Sequence, residues 1–131
     1  MTKSVLITGA NGFIGKALRK TYLAKGYRVK GVDLIANSNI DVIAGDVSDP
    51  EQWIDYLAGV DILIHTAAVV SMVAPIDIAW KVNVRGTQRL LECAAKQNVD
   101  HFIMLSWVAA LGFTAPNGAD ETLPLKPVGN S

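Results

Sequence analysis

Residues 8–15 read TGANGFIG, and this stretch decides the fold. A short apolar run at residues 4–7 precedes it and is typical of a buried strand. Apolar residues at helical spacing follow it, and Gly26 ends their pattern. The apolar side of this predicted helix consists of Phe13, Ile14, Ala17, Leu18, Tyr22 and Leu23. A strand, a glycine-rich turn and an amphipathic helix are therefore expected in succession.

Strand-like and helix-like segments continue to alternate along the chain. Further strands are predicted at residues 28–32, 41–44, 61–65 and 101–105. Asp49 is predicted to cap a helix that starts at Pro50, with an apolar side formed by Trp53, Ile54 and Leu57. A longer helix is predicted over residues 78–97, with an apolar side formed by Val84, Leu90, Leu91, Ala94 and Ala95.

No tight hairpin signal separates the strands, so the alternation predicts a parallel sheet of about five strands with helices on both faces. This is the α/β doubly wound, or Rossmann, arrangement, whose ligand crevice lies at the carboxyl ends of the strands. Residues 1–112 are assigned to this domain. Residues 113–131 are rich in proline and glycine and are predicted to form a loop tail.

The composition excludes several classes of function. The 131 residues are half hydrophobic, which indicates one well-packed domain. Twelve basic and twelve acidic residues give zero net charge, so neither nucleic acid nor a membrane surface is an expected partner. Cys93 is the only cysteine, which leaves no disulfide and no multi-cysteine metal site. Neither a signal peptide nor a membrane span is recognised, and a cytoplasmic location is expected.

The glycines of residues 8–15 point to a ligand. Gly9, Gly12 and Gly15 can provide a tight turn, close backbone approach to a pyrophosphate and close packing of helix on strand. The N–H groups at the start of the helix would face the negative charge. The strand before and the helix after make a dinucleotide the favoured ligand. A purely structural turn is the alternative.

Asp33 ends the second predicted strand at the distance from the glycines that the dinucleotide fingerprint requires. A carboxylate there can accept hydrogen bonds from the ribose hydroxyls and repels a 2′-phosphate. NAD is therefore predicted as the cofactor in preference to NADP. An ordinary exposed aspartate at a strand end is the alternative.

Several segments resemble the extended short-chain dehydrogenase/reductase superfamily, in its NAD-dependent epimerase/dehydratase branch. Residues 8–15 match the glycine motif, and residues 45–47 are similar to the turn that contacts adenine. Residues 65–68 resemble the segment after strand four, and residues 83–87 resemble a helix motif containing asparagine. Residues 102–112 resemble the strand-five segment.

The resemblance implies a set of cofactor-binding residues: Gly9, Asn11, Gly12, Phe13, Ile14, Gly15, Asp33, Asp46, Val47, Thr66, Ala67, Ala68 and Asn83. For some of them a bland structural role is the alternative. Asp46 could be a surface turn residue, and Asn83 could point to solvent or bond the backbone. His65 is interpreted as a buried, hydrogen-bonded histidine rather than a metal ligand.

The family's catalytic pair is a tyrosine with a lysine four residues later, in which the lysine lowers the pKa of the phenol. Tyr22, Tyr27 and Tyr56 are not followed by lysine at that spacing. Ser106 is the one catalytic candidate, and a structural or cofactor-contact role is the favoured alternative for it. Trp107 stands where the family commonly has a hydroxyl residue. An indole donates one hydrogen bond and accepts none.

The resemblance thus implies an NAD-binding domain whose complete protein acts on a small molecule: a sugar nucleotide, a steroid or a small carbonyl or alcohol compound. The 131-residue chain is expected to bind without turnover, and whether it is an enzyme stays open. A non-catalytic dinucleotide sensor or interaction module is the alternative, and a doubly wound domain that binds no dinucleotide is the third. Without a catalytic helix beside residues 78–97, the apolar face near strands four and five is expected to be exposed, which predicts either self-association through this face or marginal stability.

Overall fold

A computed structural model describes residues 2–67 and 76–105, which form a parallel sheet with the strand order β3-β2-β1-β4-β5. This confirms the predicted doubly wound sheet of five strands. The central strand β1 pairs with β2 on one side and with β4 on the other. The strands are Ser4–Thr8 (β1), Arg28–Asp33 (β2), Val42–Ala44 (β3), Ile62–His65 (β4) and His101–Met104 (β5).

The helices connect successive strands. The first is α1, Phe13–Ala24. Between β4 and β5, three helical pieces follow one another without a break: α2 (Ile76–Trp80), a wide π-helical turn (Lys81–Gly86) and α3 (Thr87–Lys96). They correspond to the helix predicted over residues 78–97. Two further segments, Ser38–Ile40 and Pro50–Leu57, are 3₁₀-helical.

Both faces of the sheet are covered, as the alternation predicted. Val5 and Ile7 of β1 pack on the α1 side, together with Ile64. Leu6 points to the opposite face, because side chains alternate along a strand. There it joins a larger cluster with Trp53, Leu57, Leu63, Leu90, Cys93 and Ala94. Cys93 is buried in this cluster and packs there as a small apolar residue.

The predicted apolar side of α1 was too wide. Leu18 and Tyr22 pack against the core, but Phe13, Ile14, Ala17 and Leu23 are exposed. Phe13 is 91% exposed. For Phe13 and Ile14 the physical reason is placement: α1 begins beyond the carboxyl end of β1, so its first turn borders a cavity instead of the sheet.

The predicted apolar side of the second long helix also needs correction. Leu90, Cys93 and Ala94 are buried, while Val84, Leu91 and Ala95 are exposed. A regular helix would bring Val84 and Leu91 to one side. Both are exposed, so the buried stripe of this helix is narrower than predicted. It consists of Leu90, Cys93 and Ala94, which recur at spacings of three and four residues and pack in the core.

The prediction that Asp49 caps a helix was wrong in its contact, although Pro50 does occupy the first turn. Asp49 makes no side-chain cap bond. Its carboxylate instead accepts from Arg89 Nη2 at 3.3 Å, and Arg89 also holds Glu51 at 2.7 Å. The segment is 3₁₀-helical with a kink at Trp53, whose φ and ψ are −126° and 22°.

The proposed boundary at residues 112 and 113 and the predicted loop tail lie outside the described residues. In the two stretches that the structure describes, no helix has the length and apolarity needed to cross a membrane.

The neighbouring residues Leu90 and Leu91 give a matched test of the packing. Leu90 is fully buried and Leu91 is 45% exposed on the same helix. Leu90→Ala is expected to lower the free energy of unfolding by about 2–5 kcal/mol, because it leaves a cavity in the core. Leu91→Ala is expected to change it by under about 0.5 kcal/mol. Urea denaturation measures both, and equal losses would contradict the burial pattern.

Candidate cofactor cleft

A cavity of about 740 Å³ opens at the carboxyl edge of the sheet. Doubly wound sheets bind ligands at this edge, where the order of the strands reverses. The walls come from the glycine loop, the ends of β2, β3 and β4, and the helix after β4. The lining residues are Gly9, Gly12, Phe13, Ile14, Gly15, Val32, Asp33, Leu34, Gly45, Asp46, Val47, Ser48, Thr66, Ala67, Ile78, Lys81 and Val82.

Two glycines let the loop turn tightly against the sheet. Gly9 has a φ of +68°, and a Cβ on it would lie 2.6 Å from Thr66 Oγ1. A Cβ on Gly15 would overlap the carbonyl oxygen of Gly9 and lie 2.9 Å from Ala10 Cα. Both contacts are shorter than real Cβ atoms allow. The turn and the close packing of helix on strand therefore require glycine at these positions, as the sequence predicted.

The third glycine leaves bare backbone at the cavity. A Cβ on Gly12 would meet only the Gly9 carbonyl oxygen, at 3.2 Å. Gly12 is the residue before α1, and no side chain caps the N–H groups of the first turn. Phe13, Ile14 and Gly15 of that turn line the cavity. Unpaired N–H groups and the positive end of the helix dipole make this a site for a phosphate group.

Asp33 ties the glycine loop to the end of β2. Its Oδ2 accepts the backbone N–H of Asn11 at 2.9 Å, and its Oδ1 accepts the N–H of Leu34 at 2.7 Å. Asn11 adds a second link, because its Nδ2 donates to the carbonyl of Ile35 at 2.8 Å. Each carboxylate oxygen accepts two hydrogen bonds in favourable geometry, so both can still accept one from a ligand.

Asp46 lies in the turn after β3. Its Oδ1 accepts from Ser48 Oγ at 2.7 Å and from the Ser48 N–H at 2.8 Å. These bonds hold the pKa of the Asp46 carboxyl below its ordinary value, and the nearby positive charge of Lys81 adds to the effect. Arg89 steadies the turn by donating to the Ser48 carbonyl at 2.9 Å.

His65, at the end of β4, is buried and hydrogen-bonded through both ring nitrogens, which confirms its interpretation as a core histidine. Nδ1 lies 2.7 Å from Thr8 Oγ1, and Nε2 lies 3.1 Å from Thr87 Oγ1. Burial lowers the pKa of His65 to about 4, so the ring is neutral at physiological pH.

Most of the residues predicted to bind a cofactor meet in the cavity wall. Asn11 and Asn83 do not line it: Asn11 braces the loop, and the carbonyl of Asn83 accepts from Thr87 Oγ1 at 2.9 Å. Ala68 and the catalytic candidate Ser106 lie outside the described residues. The residues that line the cavity as expected are Gly9, Gly12, Phe13, Ile14, Gly15, Asp33, Asp46, Val47, Thr66 and Ala67.

Seven lining residues were not among the predicted binding residues. Leu34 and Ser48 adjoin predicted site residues, and Gly45 belongs to the turn 45–47 that the resemblance implied, so their neighbours were a usable signal. Ile78, Lys81 and Val82 carried no such signal, because helical periodicity does not show which turn of a helix borders a cavity. The seventh is Val32, a fully buried residue of β2.

Residues 5–130 match the model of the NAD dependent epimerase/dehydratase family. The chain belongs to this family.

Two similar proteins carry the names of enzymes that act on different substrates. A 3 beta-hydroxysteroid dehydrogenase/Delta 5-->4-isomerase of Mycobacterium tuberculosis is 32% identical, over 92% of this chain and 36% of its own length. An N-acetyl-alpha-D-glucosaminyl-diphospho-ditrans,octacis-undecaprenol 4-epimerase of Escherichia coli O157:H7 is 34% identical, over 97% of this chain and 39% of its own length. The chain thus spans little more than a third of these relatives.

Solved structures share the fold. A short-chain dehydrogenase/reductase superfamily protein from Agrobacterium tumefaciens with bound NAD has a TM-score of 0.85 and 30% identity, over 97% of this chain and 40% of that one. The Thermus thermophilus UDP-glucose 4-epimerase in complex with NAD has a TM-score of 0.83 and 26% identity, over 97% and 45%.

The Asp46 turn gives a prediction about ionisation. Ser48→Ala removes the hydroxyl donor, so the pKa of Asp46 should rise towards its ordinary value, while the backbone N–H keeps part of the effect. A lowered carboxyl pKa stabilises the fold at higher pH, and that stabilisation is lost as the pH falls through it. An NMR titration of the Asp46 carboxyl carbon measures the change.

Ser38→Ala is the matched control, because Ser38 is an exposed serine in a different turn. It should leave the titration of Asp46 unchanged. An Asp46 pKa that does not move in Ser48→Ala would show that the hydroxyl bond contributes nothing.

Proposed function

We propose that this epimerase/dehydratase-family chain binds NAD in the cleft at the carboxyl edge of its sheet. The observation that carries the proposal is that an uncapped, glycine-built helix start and the Asp33 carboxylate line one cavity. The first suits the pyrophosphate, and the second suits the hydroxyls of the adjoining ribose.

The residues fit the cofactor by shape and by charge. The bare backbone at Gly12 admits a phosphate where a side chain would exclude it. Asp33 retains accepting capacity on both oxygens after its bonds to Asn11 and Leu34. The negative charge of Asp33 disfavours a 2′-phosphate, and the next residue, Leu34, offers no positive charge to offset it. These features support NAD over NADP.

The part of the cavity beside the turn after β3 suits the adenine ring. Asp46 and Val47 form the turn there, and apolar atoms of Leu34 and Ile78 line the same space. A mostly apolar pocket with a few fixed polar groups is the usual form of such a site. We assign the adenine to this end, with the Asp46 turn at its edge.

The complete protein is proposed to act on a small molecule with a hydroxyl or carbonyl carbon: a sugar nucleotide, a steroid or a smaller compound. NAD supplies the hydride acceptor in such chemistry, and the protein supplies binding, orientation and the local charges. The chain as given contains no tyrosine followed by lysine four residues later. It is therefore proposed to bind NAD without turnover. The cytoplasmic location stays a prediction.

A non-catalytic dinucleotide sensor is the second candidate. It is favoured by Trp107, which follows Ser106 and stands at the position where the family commonly has a hydroxyl residue. Both functions require NAD binding. One measurement distinguishes the enzyme from the sensor: whether the protein encoded by the whole gene reduces NAD when a steroid or sugar-nucleotide alcohol is supplied.

Calorimetric titration tests the cofactor assignment. The full chain is expected to bind NAD more tightly than NADP. Asp33→Asn should weaken NAD binding by about tenfold or more, because hydrogen bonds to a charged acceptor contribute about 1.5–3 kcal/mol. The same substitution should also narrow the difference in affinity between NAD and NADP, since the charge that repels the 2′-phosphate is gone.

Asp55→Asn is the matched control, because Asp55 is an exposed aspartate that does not line the cavity. It should bind NAD as the parent chain does. No binding by the parent chain at millimolar NAD, or equal affinity of Asp33→Asn and the parent, would overturn the assignment.

We further propose that the chain self-associates through apolar surface at β5. Ile103, Met104 and Leu105 are each 41–52% exposed at this strand. Ile103 and Met104 point to opposite faces, because side chains alternate along a strand, so both faces of this edge strand expose apolar side chains. Exposed apolar surface of this extent is uncommon on soluble monomers. Sedimentation equilibrium should show dimers or larger species at micromolar concentration, and Met104→Lys should shift them towards monomer. Ile35→Lys, an exposed isoleucine elsewhere, is the control. A monomeric parent chain would refute this proposal.

A further inference from the structure

The ring of His65 lies in a continuous chain of hydrogen bonds between two walls of the cavity. At one end, Thr8 Oγ1 accepts the N–H of Thr66 at 3.1 Å and the N–H of Ala67 at 3.2 Å. Thr66 and Ala67 line the cavity. The hydroxyl of Thr66 adds a bond to the Thr8 carbonyl at 2.6 Å. Thr8 therefore holds this wall through three separate contacts.

The bonds at Thr8 determine which atom carries its proton. A hydroxyl oxygen has two lone pairs and one hydrogen. The lone pairs of Thr8 Oγ1 are occupied by the two N–H groups, so its hydrogen points along the 2.7 Å contact to His65 Nδ1. Nδ1 must then be an acceptor without a proton.

The hydrogen bonds at Thr87 lead to the same tautomer of His65 independently. Thr87 Oγ1 donates its only hydrogen to the carbonyl of Asn83 at 2.9 Å, because a carbonyl can only accept. The 3.1 Å contact between Thr87 Oγ1 and His65 Nε2 therefore needs a hydrogen on Nε2. Both ends require a neutral ring protonated at Nε2.

The Asn83 carbonyl, at the end of this series of hydrogen bonds, belongs to the wide helical turn. Asn83 is within Lys81–Gly86, and the backbone N–H of Thr87 bonds to the carbonyl of Val84. The hydroxyl of Thr87 thus reaches the carbonyl four residues back, and side-chain bonds of this kind distort the helical ladder. Lys81 and Val82 of the same turn form the helical wall of the cavity.

We propose that Thr8, His65 and Thr87 form a one-directional hydrogen-bond relay, with His65 as the Nε2–H tautomer, that positions both walls of the cleft. His65 and Thr87 are positioning residues in this scheme, since they act through Thr66 and Ala67 on one side and through Lys81 and Val82 on the other. The relay itself stands on the contacts above. Only its effect on affinity rests on the proposed binding of NAD.

Burial lowers the pKa of His65, which keeps the ring neutral as the relay requires. A second ring proton would have to sit on Nδ1, facing an oxygen whose lone pairs are already occupied. The ring of Phe102 lies 6.2 Å away on the β5 side and provides apolar surroundings. The relay thus keeps a fixed direction over the physiological pH range.

The first experiment reads the tautomer directly. Long-range ¹H–¹⁵N correlation spectra of the full chain should show His65 with a proton on Nε2 and a bare Nδ1 at neutral pH. The exposed His101 is the internal reference. A proton on Nδ1, or on both nitrogens, would overturn the relay whether or not the chain binds NAD.

The second experiment measures the consequence for binding. Thr87→Val keeps the shape of the side chain but removes the hydroxyl, which leaves Nε2–H of His65 without its acceptor and takes one donor from the Asn83 carbonyl. NAD affinity should fall roughly fivefold, the effect of losing one typical hydrogen bond. Thr87→Ser restores the hydroxyl and should bind within about twofold of the parent chain.

Thr21 supplies the matched control, because its hydroxyl makes the same bond to the carbonyl four residues back, at 3.0 Å to Ala17, on an exposed face of α1. Thr21→Val should leave NAD affinity unchanged. Parent-like affinity in Thr87→Val would overturn the positioning role. If Thr87→Val fails to fold, the tautomer of His65 in the parent chain decides whether the relay exists. If the parent chain shows the expected tautomer but binds no NAD, the relay stands and the cofactor proposal fails.

Discussion

The close approach of α1 to the end of β1 is the constraint on which the cleft depends. The backbone of Gly15 lies so near the Gly9 carbonyl that no side chain fits between them. The neighbouring strand meets the same demand, since a Cβ on Gly31 would lie 2.5 Å from Ala10 Cβ. Without this contact, the uncapped start of α1 would not reach the carboxyl edge of the sheet, and the loop would lie too far from Asp33 for their hydrogen bond.

Local sequence rules were sufficient for the sheet and for the first wall of the cleft. Buried strands appear as short apolar runs. The glycine spacing is recognisable because Gly12 and Gly15 contact residues of their own loop, while Gly9 contacts Thr66 at the end of the adjacent strand. Asp33 follows from its distance to that loop. These features depend on neighbours in sequence or on a regular crossover, which is why pattern and spacing could predict them.

The remaining features depend on distant partners, so the sequence did not reveal them. Asp49 fails as a cap because Arg89, 40 residues away, claims its carboxylate. The wide turn involves the contact of Thr87 with His65, which is 22 residues distant. Lys81 and Val82 of that turn border the cavity. Periodicity assumes a regular helix, and a side chain that interrupts the ladder invalidates the assumption.

Asp33 has two duties that cannot be altered separately. The carboxylate that is proposed to recognise the ribose is also the anchor of the Asn11 backbone. A redesign that replaced it with a neutral or basic residue, in order to admit a phosphorylated cofactor, would at the same moment weaken or remove the anchor of the Asn11 N–H and leave the side-chain bond of Asn11 to the Ile35 carbonyl. Altered selectivity in this scaffold therefore calls for a substitute tether at Asn11, introduced together with the change in charge.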